Sequence, residues 1–177
     1  MRIVAGSHGG RVLRAPAGAK TRPTSEKVRQ ALFNILGDLD GIHVLDVFAG
    51  SGAMGIEALS RGAASATFID SAKPALLAIR GNLADLALTD RATVLAGDAV
   101  KLVALPPAQP FGLVLVDPPY RTDLATRAVL ALPRASLADS ARVVIEHDRR
   151  NAPPDALGSL LRTDERRYGD TVVSFYQ

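Results

Sequence analysis

From residue 42 onward, short apolar runs alternate with helical stretches, and this alternation predicts an α/β fold: a doubly wound, mostly parallel sheet. Three observations carry the prediction. Several strand candidates are nearly uninterrupted Val, Leu, Ile and Phe, the composition of strands covered on both faces. A glycine-rich turn, Gly50-Ser-Gly52-Ala-Met-Gly55, follows the first of them and opens a helix. An acid and two prolines, Asp117-Pro118-Pro119, close the fourth. The 177 residues make one domain, able to bury roughly 70% of its unfolded surface without staples. The absence of cysteine excludes disulfides, thiolate metal sites and thiol nucleophiles. No apolar run approaches the roughly 20 residues of a membrane span. Met1 to His8 turns polar too early for a secretory signal, so a cytoplasmic protein is expected.

Taken in chain order, Arg2-Ile-Val-Ala and Arg11-Val-Leu-Arg14 alternate weakly around Gly9-Gly10, which reads as a short hairpin on a permissive turn. Thr21-Arg-Pro-Thr-Ser-Glu26 starts a helix: Thr24 or Ser25 can cap it, and Glu26 lies where the helix dipole favours an acid. Val28, Ala31, Leu32, Ile35 and Leu36 form its apolar stripe, with Lys27, Arg29 and Gln30 outside, and Gly37 ends it. Strands are expected at His43–Phe48, Ala66–Ile69, Thr93–Leu95, Leu113–Val116 and Val143–Glu146, with helices near Ala53–Arg61, Lys73–Ala87 and Leu124–Leu132. Leu160–Arg167 and Thr171–Tyr176 flank Tyr168-Gly169-Asp170 with little room for a helix, so the chain closes on an antiparallel hairpin. Pro106-Pro107-Ala-Gln-Pro110 is a stiff connector within the domain.

Charge is distributed unevenly. The net charge is +3, but residues 1–30 alone carry +6, from Arg2, Arg11, Arg14, Lys20, Arg22, Lys27 and Arg29 against Glu26. The remaining residues sum to −3. A basic arm on a slightly acidic body suits a polyanionic partner met by one face. An Arg-rich solvated surface is the plainer alternative.

The glycine turn carries the first chemistry. Gly50, Gly52 and Gly55 satisfy the dinucleotide fingerprint, and Asp70, 20 residues after Gly50 at the end of the next strand, stands where a ribose-binding acid belongs. That pattern fits either a pyrophosphate cofactor such as NAD or the methionine-bearing S-adenosylmethionine. Two features favour the second. Asp46 lies inside the strand, where a carboxylate suits an ammonium group and gains nothing from a pyrophosphate. After the third strand, Asp98, followed by Ala99, can accept from an adenine amino group, although a helix N-cap would also place an aspartate there.

Asp117-Pro118-Pro119-Tyr120 carries the second. It falls at the carboxyl end of the fourth strand, across the switch point from the glycine turn. The prolines stop the strand and stiffen the loop beyond it. An exocyclic base amine is a poor nucleophile because its lone pair is delocalised into the ring. The Asp117 carboxylate and the Pro118 carbonyl can accept its two hydrogens, favouring a pyramidal nitrogen whose lone pair faces an electrophilic methyl. Tyr120 offers a stacking face for a base taken out of its helix. Positioning and electrostatics then supply most of the rate.

With these motifs stands Thr21-Arg-Pro-Thr followed by Val28-Arg-Gln-Ala-Leu-Phe-Asn-Ile-Leu36, and the ending Tyr168-Gly-Asp-Thr171 with Phe175-Tyr176. Over nearly its whole length the chain resembles the RsmD family, bacterial 16S ribosomal RNA guanine-N2 methyltransferases that use S-adenosylmethionine. The resemblance implies a Rossmann-like class I methyltransferase fold with seven strands, the last antiparallel, comprising residues 38–177 behind a basic extension of residues 1–37. It implies transfer to the N2 amine of one guanine in 16S RNA, within the small subunit or an assembly intermediate. Asp46, Gly50, Ser51, Gly52, Asp70, Asp98 and Ala99 would then serve the cofactor, and Asp117, Pro118, Pro119 and Tyr120 the guanine. Arg2, Arg11, Arg14, Lys20, Arg22 and Arg121 are the candidate RNA contacts. Phe48 stands where many methyltransferases have a further glycine. A monomer without metal or membrane partner is expected.

A DNA adenine-N6 or cytosine-N4 methyltransferase is the nearest alternative, but no stretch here is long enough for a separate sequence-reading domain. An NAD oxidoreductase would need a second domain and a proton-transfer group, and His8, His43 and His147 form no such arrangement. A non-catalytic nucleic-acid binder leaves the glycine turn and Asp117 unexplained.

Overall fold

A computed structural model describes residues 1–17, 26–119 and 122–177. The capping residues Thr24 and Ser25 and the Thr21-Arg-Pro-Thr segment lie outside the described residues. The strands are β1 (His43–Val47), β2 (Ser65–Asp70), β3 (Ala92–Ala96), β4 (Phe111–Val116), β5 (Leu137–Asp148), β6 (Ala156–Leu157), β7 (Leu160–Tyr168) and β8 (Thr171–Tyr176). They form one sheet in the order β3-β2-β1-β4-β5-β8-β7-β6. From β3 to β5 every pairing is parallel. The last strand, β8, runs antiparallel to both β5 and β7. The chain therefore steps outward through β1, β2 and β3, returns to β4 on the other side of β1, and leaves a switch-point crevice between the carboxyl ends of β1 and β4.

The sheet has eight strands rather than seven. The addition, β6, is two residues long and meets β7 across the left-handed turn of Gly158 (φ 63°), too short to show any alternation in sequence. Strand β5 begins at Leu137 instead of Val143, because its register against β4 shifts between Phe111 and Leu113 and leaves Asp139 and Ser140 exposed. Those polar residues hide the first half of the strand.

Helices cover both faces. On one, α1 (Glu26–Leu36), α2 (Ala53–Ser60) and α3 (Lys73–Asp85) bring Leu32, Phe33, Ile56, Leu59, Ile79 and Leu83 into a core with Leu113, Leu115 and Val144. On the other, α4 (Ala99–Leu102) and α5 (Leu124–Ala131) help enclose Val114, Val116, Val143 and Ile145 with Ala99, Ala128 and Val129. The single turn of α4 is the helix that the alternative reading of Asp98 as an N-cap implies. None of the described helices is long and apolar enough to cross a membrane.

The amino-terminal hairpin is held by one antiparallel bridge, Arg2 to Val12, together with Ile3 N–H to the Arg11 carbonyl at 2.9 Å and Gly10 N–H to the Ile3 carbonyl at 2.8 Å. Ile3 and Leu13 are buried, so the hairpin is anchored through its apolar side. Gly6 (φ 82°) passes so close to the end of α2 that a Cβ there would lie 1.9 Å from the Ser60 carbonyl oxygen.

The α1 stripe differs from the expected one. Arg29 and Phe33 are buried, whereas Ile35 is 42% exposed. The cause is Glu57 on α2, a fully buried carboxylate. Its Oε2 accepts from the Val4 amide at 2.7 Å and from Arg29 Nε at 3.4 Å. Its Oε1 accepts from the Ala5 amide at 3.0 Å and from Arg61 Nε at 2.8 Å. Arg29 also donates to the Arg2 carbonyl, and Arg61 lies 5.1 Å from the centre of the Phe33 ring. An arginine turned inward toward that carboxylate rotates the helix away from its purely apolar face.

Candidate active site

Beyond β1 the backbone turns through left-handed conformations at Phe48 (φ 62°), Gly50 (φ 57°) and Gly52 (φ 77°). Only glycine adopts this region freely, so Phe48 holds its place at a cost on the order of 1 kcal/mol. The three glycines have different physical tasks. A Cβ on Gly55 would lie 2.4 Å from the Phe68 ring, and one on Gly52 would crowd Ile56, Ile79 and Phe68 at 3.3–3.4 Å, so both let α2 pack down on the sheet. A Cβ on Gly50 would meet nothing nearer than the Phe48 carbonyl oxygen at 4.0 Å. That is the position where a ligand can approach the backbone.

Two carboxylates brace this turn. Asp70 Oδ2 accepts from Gly50 N–H at 2.9 Å and its Oδ1 from Ala72 N–H at 2.8 Å. Asp46 is 2% exposed, and its Oδ2 accepts from Gly55 N–H at 2.8 Å. Burial strips water from the Asp46 carboxylate and pushes its pKa up to about 7; the Gly55 amide opposes the rise and the charge of Asp70 adds to it. Asp98 is exposed and caps α4, its Oδ1 accepting from Lys101 N–H at 3.0 Å, while Ala99 behind it is buried. Ser51 is 9% exposed, and its hydroxyl faces the Met1 sulfur. Its carbonyl accepts from Asn82 Nδ2 at 2.9 Å. Asn82 also exchanges hydrogen bonds with the Arg14 backbone at 2.8 and 3.1 Å, tying the amino-terminal segment to the glycine turn.

Asp117 stands one residue beyond β4, its amide donating to the Val47 carbonyl at 3.3 Å across the switch point. Strand register decides its neighbours. Asp46 pairs with Leu115, and Leu115 with Val144, so these three share a row and a face. Two residues further along, the same face carries Asp117 on β4, Glu146 on β5 and Val173, registered with Glu146, on β8. A cleft along these rows is lined by Asp46, Asp117 and Glu146, with Leu32 of α1 and Met54 of α2 forming part of its wall. A second cleft adjoins it through Glu146, lined by Pro118, Pro119, Thr122, His147 and Asn151. Pro118 is buried, and the Pro119 carbonyl accepts from the Thr122 hydroxyl at 2.9 Å. Asn151 Nδ2 donates to the Thr122 carbonyl at 2.7 Å and clasps the two loops of this second cleft. His147 is held between the Asp148 carbonyl at 3.0 Å and the Ser174 hydroxyl at 2.9 Å, and its burial lowers its pKa.

Thus Asp46, Gly50, Ser51, Gly52 and Asp70 gather around one turn, and Asp117 and Pro118 stand across the crevice from it. Arg2, Arg11 and Arg14 lie on the amino-terminal hairpin and engage protein groups. Arg2 Nη1 donates to the Gly10 carbonyl at 3.0 Å, Arg11 Nη2 to the Asp85 carbonyl at 3.2 Å, and Arg14 pairs with the Asp85 carboxylate at 2.5 Å. Lys20, Arg22, Tyr120 and Arg121 lie outside the described residues. No cluster of three metal-ligating side chains occurs among the described residues.

Glu146 and Asn82 were not among the residues expected to form the site, yet both left a signal in the sequence. Glu146 ends the apolar run Val143-Val-Ile with a charge, as Asp46 interrupts Leu45-Asp-Val. Asn82 occupies the apolar stripe of α3, three residues after Ile79.

The donor set suits S-adenosylmethionine. Asp46 is a buried carboxylate beside the turn, fit for an ammonium group. Asp70 holds backbone amides with both oxygens and keeps further lone pairs for ribose hydroxyls. The backbone at Gly50 is open to close approach.

The family model described as Conserved hypothetical protein 95 matches residues 1–177. The Bacillus subtilis protein YlbH, provisionally named an rRNA methyltransferase, is 39% identical over 182 residues, covering 100% of this chain and 98% of the relative. Ribosomal RNA small subunit methyltransferase D of Escherichia coli is 35% identical over 179 residues, covering 100% of this chain and 89% of the relative. The solved structure of Escherichia coli YhhF, provisionally named a methyltransferase, superposes with a TM-score of 0.85 at 35% identity, covering 100% of this chain and 97% of that one.

Proposed function

Because the chain belongs to the Conserved hypothetical protein 95 family over residues 1–177, the RsmD family of its sequence resemblance, we propose that it is a ribosomal RNA methyltransferase acting with S-adenosylmethionine on the N2 amine of one guanine in 16S RNA. One observation carries this reading: the glycine turn braced by Asp46 and Asp70 faces Asp117 and Pro118 across the switch point between β1 and β4. The full-length likeness to a small-subunit rRNA methyltransferase supports the RNA class. A cytoplasmic monomer acting without metal fits this substrate.

Asp46 would hold the ammonium group of the cofactor, Asp70 its ribose hydroxyls and Asp98 its adenine amine. When bound, the cofactor supplies an electrophilic methyl group on a sulfonium. Asp117 and the Pro118 carbonyl accept the hydrogens of the guanine amine and turn its lone pair toward that methyl. On taking up that methyl in place of a proton, the guanine nitrogen would gain positive charge and must shed a proton. The Asp117 carboxylate stabilises that charge and accepts the proton.

The test is labelled methyl transfer to small subunits reconstituted from unmodified 16S RNA, to naked 16S RNA and to DNA, followed by nucleoside analysis. N2-methylguanine in the ribosomal RNA is expected. Methyl found only on DNA adenine or cytosine would end this assignment.

The basic arm is proposed as an RNA contact. Replacing Arg11 and Arg22 by Ala should weaken RNA binding and flatten its dependence on salt, since fewer counterions are released. Binding measured across a salt series checks this, and an unchanged slope refutes it.

Asp46 gives a pH prediction. Between about pH 4 and about pH 7 the unfolded chain ionises this carboxylate while the folded protein keeps it protonated. The folded state then binds more protons, so Asp46 makes stability fall as pH rises through that window. An ammonium ligand favours the charged form, so cofactor affinity should rise several-fold from about pH 6 to about pH 7.5, with proton release at the lower pH. Calorimetry in buffers of different ionisation enthalpy measures both. Asp46→Asn should remove this pH dependence and weaken binding, while raising the melting temperature of the cofactor-free protein near pH 7.5. Affinity independent of pH in the wild type would contradict the role.

A further inference from the structure

We propose that Glu146 makes this cleft select guanine, its carboxylate accepting the N1–H of the base while Asp117 accepts from the N2 amine. This rests on the guanine-N2 function proposed for the chain and supplies a residue-level reason for it. Register is the first observation. Val116 pairs with Ile145 at the end of the parallel β4–β5 ladder, so the next residues, Asp117 and Glu146, come level on neighbouring strands and face the same side. Adjacent strands stand roughly 4.8 Å apart. Burial is the second. Glu146 is 7% exposed and lines both clefts, the one it shares with Asp46 and Asp117 and the one behind Pro118.

The Watson–Crick edge of guanine presents two donors side by side, the N1–H and the N2 amine. Two level carboxylates match that pair. Adenine and cytosine carry an amine too, but the neighbouring ring nitrogen is bare and offers a lone pair. Set against Glu146, that lone pair is repelled and the carboxylate loses its donor. A site built to accept from an N–H discriminates against an analogue lacking it far more strongly than a shape-fitting pocket can. A carboxylate accepts several hydrogen bonds at once, so this role is compatible with its contacts in the folded protein. Asp117 handles the reacting amine, and Glu146 identifies the base that carries it.

The probe is 2-aminopurine, which keeps the N2 amine and lacks the N1 hydrogen. It is placed by ligation at the methylated position of 16S RNA, once nucleoside mapping has located it, and the RNA is reconstituted into small subunits. Wild-type protein should methylate guanine about a hundredfold faster, or more, than 2-aminopurine at that position. Glu146→Gln should be slow on guanine yet bring the two rates within about tenfold, because its amide can donate to the bare N1. Cofactor affinity should stay within about threefold of wild type. Equal wild-type rates on the two bases, or a Gln variant that slows both in proportion, overturn the role. If the Gln variant does not fold, Glu146→Asp must slow guanine more than 2-aminopurine; proportional slowing overturns the role equally. No wild-type transfer to guanine N2 at all would overturn the reading it rests on, and this role with it.

Discussion

Asp117→Ala is expected to lower turnover about a thousandfold while leaving cofactor affinity within a few-fold of wild type. The reason lies in the position of the side chain. Asp46 and Asp70 brace the glycine turn through the amides of Gly55 and Gly50. Asp117 stands across the switch point, linked to β1 through its own amide and the Val47 carbonyl. Losing its carboxylate removes the group proposed to orient the amine and to balance the charge that develops on it. The hydrogen bond that links Asp117 to β1 comes from its backbone amide and survives the substitution. Single-turnover methyl transfer separates chemistry from binding, and calorimetry gives the affinity. Asp117→Asn is the informative companion: its amide still accepts one hydrogen but carries no charge, so it should recover a minor part of the rate. Loss of rate and affinity in equal measure would place Asp117 at the cofactor instead.

Glu57→Ala is expected to destabilise the protein by about 4 kcal/mol, the scale of breaking a buried ion pair from one side. Four donors converge on this carboxylate: the amides of Val4 and Ala5 and the guanidinium groups of Arg29 and Arg61. Arg29 is wholly buried, and burial already lowers its pKa, so removing its counter-charge leaves a costly cation in the core. Urea unfolding should register the loss, with a fall in melting temperature of roughly 10 °C for a chain of this size. Arg29→Met with Glu57→Gln should recover much of it, because the two wholly buried charges then leave together and the partly exposed Arg61 can still donate to the Gln amide oxygen. A change under about 1 kcal/mol for Glu57→Ala would mean that the amino-terminal strand finds other partners. The effect should reach the site as well, since Leu32 of the α1 helix that Arg29 anchors lines the cleft of Asp46 and Asp117.

How far the site was legible varies residue by residue. The glycine turn and the Asp-Pro-Pro segment were evident because each is a contiguous local motif whose backbone demands particular residues. Asp46 was evident as a charge inside an apolar strand. Asp98 was readable both as a cofactor contact and as a helix cap, and the cap is the hydrogen bond it makes in the fold. Glu146 carried a similar signal to Asp46 but no motif beside it. Its significance depends on standing level with Asp117, some thirty residues earlier in the chain. The sequence pattern places Arg29 toward solvent, where a basic residue on an amphipathic helix usually belongs; one buried carboxylate on another element reverses that.

By itself, then, the sequence determined the layer architecture, the switch point and which acids and glycines stand at the ends of β1 and β4, because periodicity and glycine or proline backbone limits act within a few residues. Tertiary structure decided which distant acids share a cleft, how the basic extension is moored, and how many strands the sheet has. Those outcomes depend on register between strands and on the pairing of buried charges, and both are settled only when segments far apart in the chain meet.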